Sequence, residues 1–503
     1  MDNNIKFNPD LFVDRELERE LVNNLLTEKE TELRILEFSG ITGQGKTELL
    51  KWAYTEAKTK KLLSAYIDFE LSEFHRKEIY PILETIAAQL SSDEHVKTFF
   101  DPFVRTLPNY IDEFNRYYRS LWEEPGIADR KPLIKLEKEL IEKFNTGIRQ
   151  LLSSCKLVLC LDSTDKAYEI AIREFEQQFL QNFADNPNFI ILVAGQQKFD
   201  WMKPHLQERV SRRQLKRFEY EDVRKFLDRY DKIKQLNIED REQLLRQIWN
   251  VTLGHPFSSY KFLDIISNGF KKKLTKEVVS TVYPESVKLL IKNVITDRML
   301  SNLGIGENYP LPEKILFYLA PFRRIEFVTL WFALTTFLRD WFKNKPFIFF
   351  EELLEEFHKH SHVFTPWKLG QGFNMEEVTR SILLSDLRIN NYEQFVEIQK
   401  ILADQYDIWV SQTRDASQVK NIVEKFYHHT MLLKETCPEN AGDIIKKELE
   451  RYLDLYFTLE FIPDEVRLHE QLDRLAKDLK SDGELSDMTD IHALSDIIED
   501  RMK

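Results

Sequence analysis

Gly40-Ile41-Thr42-Gly43-Gln44-Gly45-Lys46-Thr47 satisfies the pattern G-x-x-x-x-G-K-[ST]. It lies between an apolar run, Leu33 to Phe38, and a helically periodic segment, Glu48 to Lys60. Those residue types in that order suit one task. Glycines let the chain curl until consecutive backbone N–H groups face one point, and a helix starting behind them adds the positive pole of its dipole. Such a concavity holds phosphate. The Lys46 ammonium is placed to reach the β- and γ-phosphates of a nucleotide, and the Thr47 hydroxyl is a ligand for Mg²⁺. Gly40, Thr42, Gly43, Gln44, Gly45, Lys46, Thr47 and Glu48 are therefore the expected nucleotide contacts.

Further along, Leu62 to Phe69 reads as a second strand, so the order is strand, loop, helix, strand. That is a βαβ unit and calls for a parallel sheet. Lys156 to Leu161, closing at Asp162, and Phe189 to Ala194, closing at Gly195, are continuous apolar runs, as expected for strands covered on both faces. Leu215 to Phe218 is the expected fifth strand. The stretch from His75 to Ser154 is helical and longer than a crossover needs, so Asp93 to Asp129 reads as an inserted helical lobe. A phosphate loop needs an acid at the end of a neighbouring strand to hold Mg²⁺. Asp162 is that candidate, and Asp165 is a candidate to orient attacking water. With Lys46 they form the candidate catalytic set. A helix N-cap is the competing role for Asp162, as for Ser163 and Thr164.

From Tyr220 onward the pattern is helical. Glu221 to Tyr230 and Glu239 to Trp249 are amphipathic, and Thr252-Leu253-Gly254-His255-Pro256-Phe257 reads as a turn where Gly ends one helix and Pro starts the next. Glu285 to about Leu384 suggests three helices with a small β-wing at His362-Val363-Phe364 and a turn at Gly370-Gln371-Gly372. The rest, to Lys503, is amphipathic helix. Phe327 to Leu338 is too short, and too rich in Thr, for the roughly 20 residues of a membrane span, and reads as a buried helix. His428 and His429 are neighbours, so they do not share a helix face as metal ligands would. They read as packing and surface.

A chain of 503 residues exceeds one core and implies several domains. With 14 Gly and 36 Phe it suits a mostly helical protein with large aromatic core residues. A net charge of −13 argues against coating nucleic acid. Two local basic clusters, Arg212-Arg213-Lys216-Arg217 and Lys271-Lys272-Lys273, read first as solvated faces. Cys155, Cys160 and Cys437 lack metal-ligand spacing and are odd in number, which fits a reducing cytoplasm. Met1 to Asp10 has no secretion signal, so a cytoplasmic protein without membrane association is expected.

Four motifs in order resemble the STAND class of P-loop NTPases, the signal-transduction ATPases close to the NACHT and AAA+ groups. They are Phe12-Val13-Asp14-Arg15-Glu16, the loop with its extra glycine at Gly43, Leu159 to Asp165 as a D-x-x-D Walker B strand, and Gly254-His255-Pro256 as a G-x-P turn. The resemblance spans roughly residues 10 to 395. It implies that Phe12, Val13 and Arg15 lie against the adenine and that Pro256 packs by the base from a helical lid. It implies a P-loop NTPase domain over 1–218 with a helical insertion near 93–129, a lid over 219–284, a winged-helix domain over 285–395 and a helical C-terminal interaction region over 396–503. Two positions depart from the pattern. Gln196 or Gln197 stands where relatives place an arginine sensing the γ-phosphate, which Arg212 or Arg213 would have to replace. Ser163 stands where many AAA+ relatives carry a second acid. The resemblance thus implies an ATP/ADP switch with Mg²⁺ and slow ATP hydrolysis, forming a homo-oligomer with ATP and acting on a separate effector protein. A non-hydrolysing nucleotide-bound scaffold and an AAA+ DNA-associated ATPase of the origin-recognition or transposition-helper kind are the alternatives.

Overall fold

Alternation along the apolar runs assigns each side chain to one of two layers. The computed structural model describes residues 7, 9–27, 34–74, 77–123, 129–269, 274–300, 303, 312–361, 363–366 and 372–502. Its strands β1 (Ile35–Ser39), β2 (Leu63–Asp68), β3 (Leu157–Asp162), β4 (Phe189–Gly195) and β5 (Val210–Gln214) form a parallel sheet in the order β2-β3-β4-β1-β5. Leu36, Phe38, Tyr66, Val158, Cys160, Leu192 and Ala194 face α1 (Glu16–Thr27) and α2 (Lys46–Thr59). Ile35, Ile67, Leu159, Leu161, Ile191 and Val193 face the other way. That side is covered by α3 (Tyr80–Leu90), α4 (Asp101–Glu123), α5 (Lys131–Leu152), α6 (Glu169–Phe175) and α7 (Gln181–Phe183). Burial on both faces explains why β1 to β4 carry mostly apolar sequence.

The fifth strand differs from expectation. It is Val210–Gln214, reached through α8 (Pro204–Gln207), and not Leu215 to Phe218. An edge strand has a neighbour on one side only, so Val-Ser-Arg-Arg-Gln can pair without being apolar. Leu215 extends the pairing by one bond, N–H to Ser39 O at 2.8 Å, and then turns inward with Phe218. Glu37 fixes this edge from inside β1. Only 2% exposed, it accepts from Phe199 N at 2.8 Å, Trp201 Nε1 at 3.1 Å and Arg212 Nε at 3.3 Å. Arg212 is therefore committed to the sheet edge.

The expected inserted lobe coincides with α4 and the residues leading into it, and its first half belongs to the sheet's own core. Phe100, Phe103, Leu107 and Tyr110 are buried in the same cluster as Leu159 and Phe189, and the Phe103 ring lies 5.4 Å from Phe144 of α5.

The chain divides into two compact units, residues 1–286 and 287–503. The first closes with α9 (Tyr220–Lys234), α10 (Arg241–Thr252) and α11 (Pro256–Gly269), and α12 (Lys276–Leu290) runs across the division. A reciprocal capping box between Glu219 and Asp222 starts α9, and the Asp240 side chain caps α10. The second unit holds α13 (Pro312–Leu319), α14 (Phe327–Phe337), α15 (Arg339–Phe342) and α16 (Phe347–Ser361). The antiparallel pair β6 (Phe364–Pro366) and β7 (Phe373–Met375) follows, then α17 (Glu377–Asn390), α18 (Tyr392–Gln412), α19 (Asp415–Thr436), α20 (Ala441–Tyr456) and α21 (Glu465–Lys480). The hairpin strand starts later than the sequence suggests, and His362, Gly370 and Gln371 lie outside the described residues, as do Lys271 to Lys273. The expected buried helix, α14, covers only one face: Leu330, Ala333 and Leu334 are buried, whereas Val328 and Trp331 are exposed. Apolar residues all round a helix do not bury it when only one side has a neighbour.

Within this second unit buried charges bond to one another. Arg323 pairs with Asp482 at 2.5 Å and Glu424 at 3.1 Å, and its guanidinium lies 4.2 Å from the Tyr427 ring centre. Arg380 donates to Glu484 at 2.9 Å, to Tyr427 Oη at 2.8 Å and to Ala320 O at 3.0 Å. These bonds tie helices on either side of residue 395 into one body. His428 is buried, stacked on Tyr406 and bonded to Gln399 Oε1 at 2.8 Å, and burial holds its pKa well below the usual value. His429 turns to Glu448. His428 thus packs in the core, and His429 is held by an acid at its surface.

Candidate nucleotide-binding site

Five consecutive carbonyls of the glycine loop are bonded. Lys46 Nζ donates to Gly40 O at 2.6 Å and to Ile41 O at 2.9 Å. Thr42 O lies 2.8 Å from His255 Nε2, Gly43 O accepts from Phe257 N at 3.1 Å, and Gln44 O accepts from Arg15 Nη2 at 3.0 Å. In a trans peptide the C=O of one residue and the N–H of the next point in opposite directions. Holding the carbonyls of 40 to 44 therefore turns the N–H groups of 41 to 45 away from those partners. Gln44 N makes one long contact back to Ile41 O, at 3.4 Å. Gly43 and Gly45 both have φ of +87°, which the curl requires. An array of peptide N–H groups with a buried lysine at the head of α2 fits the phosphate chain of a nucleotide.

The segment ahead of α1 reaches this loop through Arg15. Its guanidinium also donates to Lys216 O at 2.6 Å and pairs with Asp14 at 2.9 Å. Asp14 and Arg15 have φ of 59° and 75°, a left-handed conformation unfavourable for both, held by these bonds. Phe12 stacks on Trp52 with ring centres 6.4 Å apart, and its carbonyl accepts from Arg229 Nη1 at 2.6 Å. Val13 is buried. Arg15 thus binds the loop backbone and the chain after β5, while Arg229 of α9 holds the same segment. Pro256 begins α11 directly behind His255, and Glu48 sits in the first turn of α2, paired with Lys51 at 3.4 Å.

Asp162 ends β3, separated from β1 by β4. Its carboxylate accepts from Tyr66 Oη at 2.6 Å and from Ser163 N at 2.9 Å, and the nearby Thr47 hydroxyl favours its charged form. Burial pushes its pKa up to about 6, with the Tyr66 bond opposing that rise and nearby Asp68 adding to it. The N-cap role falls away. Ser163 precedes the short turn Thr164–Lys166, in a left-handed conformation and without a side-chain cap bond. Thr47 and Asp162 thus place hydroxyl and carboxylate oxygens together, the hard donors that Mg²⁺ takes, so these two residues would hold the ion beside the phosphates. Asp165 is engaged too: its Oδ1 accepts from Gln196 N at 2.8 Å. The Gln196 backbone makes this contact, and its side-chain oxygen is buried without a hydrogen-bond partner among the described residues.

The structure therefore gathers Gly40 to Thr47, Arg15 and Asp162 at one end of the sheet, with Asp165 and Gln196 beside them at the ends of β3 and β4. Three contributors escaped sequence reasoning: Tyr66, Arg229 and His255. Tyr66 looked like one more apolar strand residue, although a buried tyrosine needs a partner for its hydroxyl. His255 was the variable position of a glycine–proline turn.

No family model matches the sequence, and no curated protein matches it. Solved structures do. ORC2 of Aeropyrum pernix, in ADPNP–ADP complexes, is 14% identical, covering 77% of this chain and 99% of that one at a TM-score of 0.42. Cdc6p of Pyrobaculum aerophilum is 15% identical, covering 77% and 99% at 0.36. The replication initiator DnaA bound to AMPPCP and single-stranded DNA is 15% identical, covering 70% and 93% at 0.34. Identities and scores this low leave the assignment to the geometry of the site.

Proposed function

We propose that this chain is an ATP/ADP-binding P-loop switch with slow ATP hydrolysis, whose helical lid responds to the nucleotide. The supporting observation is the bonding of the five loop carbonyls, which aims the backbone donors at one anion and draws two of its bonds from the lid turn. Lys46 serves the phosphates. Thr47 and Asp162 hold Mg²⁺, which supplies charge neutralisation at the phosphate oxygens. Slow turnover follows from Asp165, whose carboxylate already takes the Gln196 amide, and from Arg212, committed to Glu37. A switch works only if a ligand favours one state over the other, and 1:99 to 99:1 takes about 5.5 kcal/mol.

Two finer readings concern the partner. Action on a separate effector protein, as in STAND signalling, follows from the motif resemblance. Action on DNA is the second reading, and one of the similar structures is a replication initiator bound to single-stranded DNA. The net charge weighs the other way. Residues over 285–395 as a winged helix and 396–503 as an interaction region belong to either. The test is assembly and duplex binding of the purified chain with MgATP, with MgADP and as Lys46→Ala. Nucleotide-dependent assembly that the variant lacks supports the switch. DNA binding that weakens steeply with salt selects the DNA-associated reading. Identical behaviour in all three conditions refutes the switch.

A further inference from the structure

His255 is fully buried, yet it belongs to the turn between α10 and α11 and contacts the glycine loop some 200 residues away in sequence. Its ring is held at both nitrogens. Nδ1 lies 2.7 Å from Ser258 Oγ and accepts from Ser258 N at 3.3 Å, while Nε2 lies 2.8 Å from Thr42 O. A nitrogen that accepts a backbone N–H carries a lone pair. The proton is therefore on Nε2, which donates to the Thr42 carbonyl, and the ring is neutral. Two residues beyond His255, the Phe257 amide donates to Gly43 O.

Gly43 is shaped by this contact. A Cβ there would lie 2.5 Å from His255 Cε1 and 2.8 Å from both His255 Nε2 and Phe257 Cβ. At Gly45, by contrast, a Cβ would meet nothing within 4 Å. The glycine at 43 makes room for the lid, not only for phosphate. Gly254 seals the other side: its carbonyl accepts from Phe218 N at 2.8 Å, and a Cβ there would lie 2.1 Å from Phe218 O.

We infer that His255 is a positioning residue for the phosphate-binding loop, holding the Thr42–Gly43 peptide with its N–H towards the phosphates only while the lid turn is seated. The inference rests on the P-loop reading and deepens it. Releasing the turn frees the carbonyls of Thr42 and Gly43 together, so two of the backbone donors lose their aim. By linkage, a nucleotide that uses those donors must stabilise the seated lid by the same factor that the seated lid tightens the nucleotide.

The test compares wild type with His255→Ala, His255→Phe and His255→Gln, each stripped and titrated with MgADP, with backbone hydrogen exchange measured in parallel. Phe keeps the volume and removes the donor. The Gln side-chain amide places an N–H near the position of Nε2. Expected is a loss of roughly 10- to 100-fold in affinity for Ala and Phe, with most of it recovered in Gln. In wild type MgADP slows exchange at the Phe257 amide and along α11. In the Phe variant it does not, while β3 and β4 exchange alike in both. Wild-type affinity in the Phe variant, or no recovery in Gln, overturns the inference. Should the Ala variant fail to fold, the Phe and Gln pair decides it. Failure of wild type itself to take up MgADP strikes the P-loop reading instead, and the two failures are thereby distinct.

Discussion

Both units bury charge, and they use it differently. In residues 1–286 the buried Lys46, Arg15 and Asp162 stand at the end of a parallel sheet and bond to loop backbone and to Tyr66. In residues 287–503 the buried Glu424 and the mostly buried Arg323 and Asp482 bond to one another and to a ring face. The second set pairs with neighbouring side chains, although Arg323 Nη2 and Glu424 Oε1 find no hydrogen-bond partner among the described residues. The first shapes a concave row of backbone donors, which is how a ligand is met. Buried charge alone is therefore a poor marker of function, and the direction of its bonds is a better one.

Replacing one member from each set is the sharpest contrast. Lys46→Ala should weaken nucleotide binding by at least roughly 100-fold in a binding titration, with unit stability little changed. Arg323→Ala should do the reverse. It leaves Glu424 and Asp482 buried without their partner, costing about 3–5 kcal/mol of stability in denaturant unfolding, while affinity for nucleotide holds. If Arg323→Ala abolished nucleotide binding in folded protein, the division of roles would be wrong.

Asp162 gives a pH-dependent version of the comparison. Its raised folded pKa means that, without Mg²⁺, its stabilising contribution is complete below about pH 4 and lost as pH rises through about 6. A rise of about two pH units corresponds to about 3 kcal/mol as an upper figure. Asp162→Asn, which cannot ionise, should gain on wild type across that window in unfolding measurements without metal, and should lose the Mg²⁺ dependence of nucleotide binding. A constant difference from pH 4 to 7 would contradict the burial argument. The smallest effect belongs to exposed pairs such as Lys477–Asp473, where Lys477→Ala should change stability by no more than about 0.5 kcal/mol.

Legibility in the sequence followed the same divide. Strands β1 to β4, the place of the glycine loop between β1 and α2, and the position of Asp162 at the end of β3 were readable because a parallel strand buried on both faces leaves an apolar run. The edge strand was misplaced because Val-Ser-Arg-Arg-Gln carries no such run, while the apolar signal at Leu215 and Phe218 came from residues plugging the core beyond it. His255 was invisible because its contact depends on the turn between α10 and α11 packing back onto the glycine loop, which no local pattern encodes. In the second unit, α14 looked wholly buried because periodicity reports what a helix carries, not how many of its sides are covered.

Phosphate capture by the loop from Gly40 to Thr47 underlies the switch proposed for this chain. Calorimetry on stripped protein tests that most directly, titrating MgADP and MgATP into wild type and Lys46→Ala. One nucleotide bound per wild-type chain, with little or no heat from the variant, is the expected result. Silence from folded wild type, or equal uptake by both proteins, would contradict it.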